Sequence, residues 1–230
     1  MAEEINEPDR VPGAPHPRET PALIGQEAAE TAFRDGFNTG RMHHAWMLTG
    51  PRGVGKATLA WSIARFLLAT PDPDGDDMFG APVLPTSLHI DPEHPVARRI
   101  SAGADPGLIS VTRTPNEKTG RMRDQIVVDD IRKLAGFFQM SATDGGRRVV
   151  IIDAADDMNT QAANALLKML EEPPERCALL LISHQPSRLL PTIRSRCRTL
   201  RLGTLNGEQM HSAMIQAEVE AGANAVALAE

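Results

Sequence analysis

Gly50-Pro51-Arg52-Gly53-Val54-Gly55-Lys56-Ala57-Thr58 lies between the apolar run Ala45-Trp46-Met47-Leu48 and the helical pattern running from Leu59 to Leu68. Strand, glycine-rich turn and helix in that order are the context in which G-x-x-x-x-G-K reads as a phosphate-binding loop. Gly50, Gly53 and Gly55 let backbone N–H groups converge on an anion with no Cβ in the way. The opening of the helix adds partial positive charge, and Lys56 adds a full one. After the lysine such loops carry Ser or Thr, whose hydroxyl ligates the magnesium that bridges the terminal phosphates. Ala57 stands there and has no oxygen to give, while Thr58 is one residue late and turned about 100° around the helix.

A second loss coincides with the first. Val149-Val150-Ile151-Ile152-Asp153 is an apolar run closed by a carboxylate, the pattern of a buried parallel strand. In phosphate-loop ATPases such an Asp holds the magnesium water shell, and in one hydrolysing branch a Glu follows it to orient the attacking water. Asp153 is present, but Ala154 replaces the Glu, and Asp156 and Asp157 lie too far along unless the loop folds back. Gly50, Gly53, Gly55, Lys56, Thr58 and Asp153 thus form a degenerate nucleotide site. Whether ATP or ADP still binds it without hydrolysis is left open, since the glycines and Lys56 permit binding and the missing metal ligand weakens it.

Length and composition bound the rest. The 230 residues suffice for one α/β domain and part of a second, at about 100 to 200 residues per domain. With 41% hydrophobic and 23% charged residues the chain reads as an ordinary globular protein, and a net charge of −6 argues against coating nucleic acid by bulk electrostatics. Two cysteines, Cys177 and Cys197, make neither a disulfide framework nor zinc spacing and suit a reducing cytoplasm. No run approaches the roughly 20 apolar residues of a membrane helix, and Glu3, Glu4 and Glu7 occupy the place of a basic signal-peptide start. A cytoplasmic protein with no membrane partner is expected.

The elements follow from pattern. Residues 1–20, with Pro8, Pro12, Pro15 and Pro17, read as an irregular lead-in, order beginning near Leu23. Gln26 to Asn38 reads as an amphipathic helix stopped by Gly40. The proline-rich 71–106 reads as an irregular insertion. Within it, His89, Asp91, Glu93 and His94 lie close enough for a metal but fit a solvated turn better, so no metal is expected. Leu108–Val111 predicts a strand, and Asp129 or the residue before it a helix cap, with Ile131, Leu134, Ala135 and Phe138 on the buried face and Gly145-Gly146 ending the connection. Asn159 to Glu172 predicts a helix, Ala178–Ser183 and Thr199–Leu202 strands, and Glu208 to Ala217 a helix followed by an Ala-rich helical segment over 221–229. Strands alternating with helices predict an α/β fold, a parallel sheet covered on both faces over residues 21–203, followed from 204 to 230 by the start of a small helical domain.

Four blocks together carry a family resemblance. They are Leu23-Ile24-Gly25-Gln26, the entry His43-His44-Ala45-Trp46 into Leu48-Thr49-Gly50-Pro51, the run Asn164 to Pro174 containing Leu170-Glu171-Glu172-Pro173-Pro174, and Ile193-Arg194-Ser195-Arg196-Cys197. In this order over residues 22 to about 205 the chain resembles the AAA+ clamp-loader subunits of DNA polymerase III, and among them the members whose nucleotide site is eroded. The resemblance implies a P-loop AAA+ core and a subunit that does not hydrolyse ATP. It also implies that Arg196 is presented as an arginine finger to ATP held by a neighbouring gamma or tau subunit, with delta, the sliding clamp and primer-template DNA as further partners. Ser183 falls at the polar sensor position and is expected to be structural. The four-cysteine zinc module of the family's ATPase members has no counterpart in 71–106, so zinc is not expected. A helical lid and C-terminal collar follow in the family; here the chain stops inside the lid, as part of a longer polypeptide would. The rival is an ATP-hydrolysing gamma- or tau-like motor, against which Ala57, Ala154 and the missing cysteines count. A small P-loop kinase or GTPase would need an acceptor or base-reading motif that the chain lacks.

Overall fold

A computed structural model of the protein describes residues 14–20, 22–40, 42–72, 84–139 and 146–217. Most of the lead-in, the Asp74, Asp76 and Asp77 run, Gly145 and the Ala-rich 221–229 lie outside these residues. Five strands, β1 (Ala45–Thr49), β2 (Leu108–Val111), β3 (Arg148–Ile152), β4 (Cys177–Ser183) and β5 (Arg198–Arg201), form one sheet in the order β2-β3-β4-β1-β5, every pair parallel. Seven helices connect them among the described residues: α1 (Glu27–Asn38), α2 (Lys56–Ala69), α3 (Pro95–Ser101), α4 (Val128–Gln139), α5 (Thr160–Glu171), α6 (Pro191–Arg194) and α7 (Gly207–Gln216).

Successive strand residues point to opposite faces, so each buried run serves two cores. Trp46, Leu48, Val149, Ile151, Leu180 and Ile182 face α1, α2 and α3, meeting Phe33, Phe37, Leu59, Ile63, Phe66 and Ile100. Ala45, Met47, Val150, Ile152, Leu179 and Leu181 face α4, α5 and α6, meeting Ile131, Leu134, Leu166, Leu170 and Ile193. A fully buried side chain of this size contributes about 1.5–3 kcal/mol, so two cores explain how a short sheet is held between two helical layers.

Four local expectations need correction. The 71–106 stretch contains α3, because Pro95 at the first helical position has the right φ and the His94 imidazole accepts from the Val96 N–H at 3.2 Å, while Val96, Ala97 and Ile100 are buried. Order begins before Leu23: His16 is buried edge-on against Trp61, and the buried Arg65 guanidinium donates to the Arg18 and Thr20 carbonyls at 2.9 and 3.0 Å. Asp130, not Asp129, closes the start of α4, accepting from the Val127 N–H at 3.2 Å. Ile131 and Leu134 are buried as the pattern predicted, but Phe137 is more deeply buried than Phe138, which packs at the edge of the same core, and Ala135 is exposed, because the buried stripe continues from Leu134 at a spacing of three rather than four. The expected cap on α5 is there, Asn159 accepting from the Ala162 N–H at 2.8 Å.

Candidate functional site

All five strands run the same way, so the sheet has two poles, one at the carboxyl ends of the strands and one at the amino ends. The glycine-rich loop leaves the carboxyl end of β1. Gly53 and Gly55 have φ of 81° and 94°, left-handed values that glycine adopts without strain, and Gly55 caps α2 with no side chain over the open helix N-terminus. Gly50 serves packing instead: a Cβ there would collide with the Leu202 carbonyl oxygen just past β5. Lys56 is buried and curls back, donating to the Gly50 carbonyl at 2.8 Å and also to the Pro51 carbonyl. Burial lowers its pKa from the usual ammonium value; Asp153 and Asp156 oppose this, and Arg52 adds to it.

Gly53, Gly55, Lys56, Thr58 and Asp153 line one cleft of about 470 Å³, closed by Pro15, Pro17 and Leu23 on one side and by Ala213 and Gln216 of α7 on the other. Gly50, as its packing role requires, is not on that wall. Ala57 lines the cleft and Ala154 is buried beside Asp153. The residues fit a phosphate, which finds glycine N–H groups, a helix N-terminus and an ammonium. They fit its magnesium ion poorly, because Ala57 offers a methyl group where a ligating hydroxyl is needed and only Asp153 keeps its oxygens, and Ala154 leaves no carboxylate to orient an attacking water.

Two residues matter here that spacing alone did not assign. The loop after β3 does fold back, through a 3₁₀ turn over Ala155–Asp157, and brings Asp156 to the end of β4. Its buried carboxylate accepts from the Ser183 hydroxyl and from the N–H groups of His184 and Gln185 at 2.6 and 2.9 Å. Ser183 is fully buried and locks two strand ends together. Gln26 joins α1, the phosphate loop and the exit of β5 with one amide, donating to the Val54 and Gly203 carbonyls at 3.1 and 2.9 Å and accepting from the Gly203 N–H at 3.1 Å. Neither has a local sequence signal, since partners up to 177 residues away define them. His184 also lines the cleft, its imidazole pKa lowered chiefly by burial and then by Lys56 and Arg52, with Asp156 and Asp157 opposing.

Arg196 lies at the other pole. It precedes β5, whose Arg198 pairs with Trp46 near the start of β1, whereas the phosphate loop follows Thr49 at the end of that strand. Its guanidinium is partly exposed, with one arm 2.9 Å from Glu171 at the end of α5 and the other donating to the Thr192 carbonyl at 3.0 Å. It therefore cannot reach its own chain's cleft. The candidate metal cluster is used otherwise: His94 caps α3, Asp91 accepts from the Glu93 N–H at 2.8 Å and Glu93 pairs with Arg98.

A parallel sheet in this order, with the phosphate loop after β1, the neighbour of the central β4, and a polar residue closing β4, defines a P-loop domain of the AAA+ kind. The fold matches that of a DNA polymerase III gamma subunit-related protein from Thermotoga maritima, with a TM-score of 0.52 and 20% identity over 80% of this chain and 49% of that one. The chain belongs to the DNA polymerase III delta subunit family, whose model matches residues 25–206. It is 42% identical to DNA polymerase III subunit delta' of Pseudomonas aeruginosa over 154 residues, 67% of this chain and 41% of that protein. It is 32% identical to DNA polymerase III subunit tau of Escherichia coli over 82% of this chain and 26% of that protein. The chain thus spans less than half the length of these relatives.

Proposed function

We propose that the chain is the AAA+ part of a delta-prime-type clamp-loader subunit, one that does not hydrolyse ATP and completes a neighbour's active site while the sliding clamp is loaded onto primer-template DNA in the cytoplasm. Its neighbours are gamma or tau and delta. The observation that carries this reading is the opposition of the two poles: the phosphate cleft has alanines at two positions where hydrolysis needs oxygens, and Arg196 lies at the opposite end of the sheet, away from that cleft. Any nucleotide in the cleft is held through Gly53, Gly55 and Lys56 as a strut between α7 and the core.

A guanidinium reaching across an interface neutralises charge that grows on a transferring phosphoryl group, an effect worth on the order of 10³ to 10⁵ in rate. Arginine suits the role because its fork is planar and permanently charged. The motor reading gains from the likeness to tau, which covers more of the chain than the likeness to delta', but Ala57 and Ala154 oppose it. Magnesium-dependent ATP turnover by the isolated full-length subunit separates the two. We expect none above the protein-free reaction; turnover at a motor's rate would overturn the proposal.

A further inference from the structure

Glu171 is an acid in the last turn of α5, where the helix dipole favours cations and disfavours a carboxylate. Its contribution to stability is small by a second argument as well. The Arg196–Glu171 pair is half open to solvent, with side-chain exposures of 36% and 50%, and pairs of that kind contribute little to stability. A residue that is poorly placed for its helix and weak as a fold contact has another use in what it does to Arg196.

We infer that Glu171 is a positioning residue that, with the Thr192 carbonyl, holds the Arg196 guanidinium in one orientation before a neighbouring subunit arrives; this rests on the finger reading above. A free arginine side chain loses rotamer entropy when it docks, and two anchors remove part of that loss beforehand. The geometry leaves the fork usable. One arm donates to Glu171 and the other to the Thr192 carbonyl, and each terminal nitrogen has a second N–H. With Nε, three N–H donors remain for a phosphate. The anchors also come from two elements, α5 and the α6 turn, so the guanidinium reports their relative placement.

The test uses the full-length subunit in a complete clamp loader whose other ATP sites are disabled, so that only the site facing this subunit turns over. Glu171→Gln removes the charge and keeps the shape. We expect kcat to fall about threefold to fivefold, the range a half-exposed ion pair can supply, with the KM for ATP and complex assembly unchanged. Glu171→Asp should restore part of the loss, and Glu171→Gln added to Arg196→Ala should cost nothing further. Turnover equal to or faster than wild type in Glu171→Gln, while Arg196→Ala is inactive, overturns the inference and leaves the finger intact. A Glu171→Gln loss that persists undiminished in the Arg196→Ala background also overturns it. Normal turnover in Arg196→Ala alone removes the finger reading itself.

Discussion

The two poles of the sheet are built from the same strands and carry opposite equipment. At the carboxyl pole the scaffold of a nucleotide site is intact, with glycines in left-handed turns, a buried Lys56 and an Asp156–Ser183 lock, yet Ala57 and Ala154 have removed its reactive oxygens. At the amino pole a cleft lined by His44, Arg147 and Cys177 opens at the strand starts, but Arg196 is not on its wall, and its guanidinium is held by two acceptors on the surface. In the proposed reading scaffold and chemistry have separated, the carboxyl pole holding the shape of a phosphate site without its reaction and the amino pole holding one reactive group for a neighbour's site. A fold can outlast its own catalysis when the residues that pack the cleft are different from those that ligate the metal.

The largest effect that would break this contrast is at the amino pole. Arg196→Lys keeps a positive charge but loses the fork, so ATP turnover at the neighbour's site should fall on the order of 10³-fold while assembly is preserved. Single-turnover measurement on the reconstituted complex reads it; turnover like wild type would mean that charge alone suffices.

Next in size is the shared core. Leu180→Ala, in the central β4 and fully buried, should cost about 2–5 kcal/mol in denaturant unfolding and weaken both poles alike. A smaller and one-sided effect belongs to Asp156→Ala, which strands the Ser183 hydroxyl and two backbone N–H groups and should cost about 1–3 kcal/mol. Hydrogen exchange should quicken around Ser183–Gln185 and stay unchanged at Arg196; equal loosening at both poles would show that they are not independent.

The smallest effect is a pH dependence. His44 and His184 titrate below the ordinary value of 6.5, His44 because of burial and then His43, with the Leu170 carbonyl opposing, and His184 because of burial and then Lys56 and Arg52. Between the folded and unfolded pKa values the unfolded chain binds more protons, so stability is full above about pH 6.5 and is lost as pH falls below it. The urea midpoint should drop between about pH 7.5 and about pH 5.5, and the drop should be smaller in a His44→Gln, His184→Gln variant.

Legibility in the sequence followed the range of the interaction. Val149–Ile152 and Ala178–Ser183 announce central parallel strands because a strand buried on both faces must be apolar throughout, and the glycine loop announces itself because its conformation is local. The positions of Ala57 on the cleft wall and of Ala154 beside Asp153 were equally legible, since both are fixed by the loop and the strand that precede them. Asp156 and Gln26 were not assigned as site residues, because each draws its meaning from partners brought near by folding. The misplacement of Phe138 for Phe137 has the same origin: α4 is amphipathic by either choice, and only its docking on α5 and the sheet decides which ring goes deeper. The helix α3 was hidden because proline, usually a breaker, is here its first residue.

The central claim is that this chain works through Arg196 and not through its own phosphate loop. The most direct measurement compares Lys56→Ala with Arg196→Ala in the same reconstituted complex, following DNA-stimulated ATP turnover at the one site that faces this subunit. The account predicts that Lys56→Ala turns over like wild type and Arg196→Ala loses nearly all activity. The reverse pattern, with Lys56→Ala inactive and Arg196→Ala normal, would contradict it.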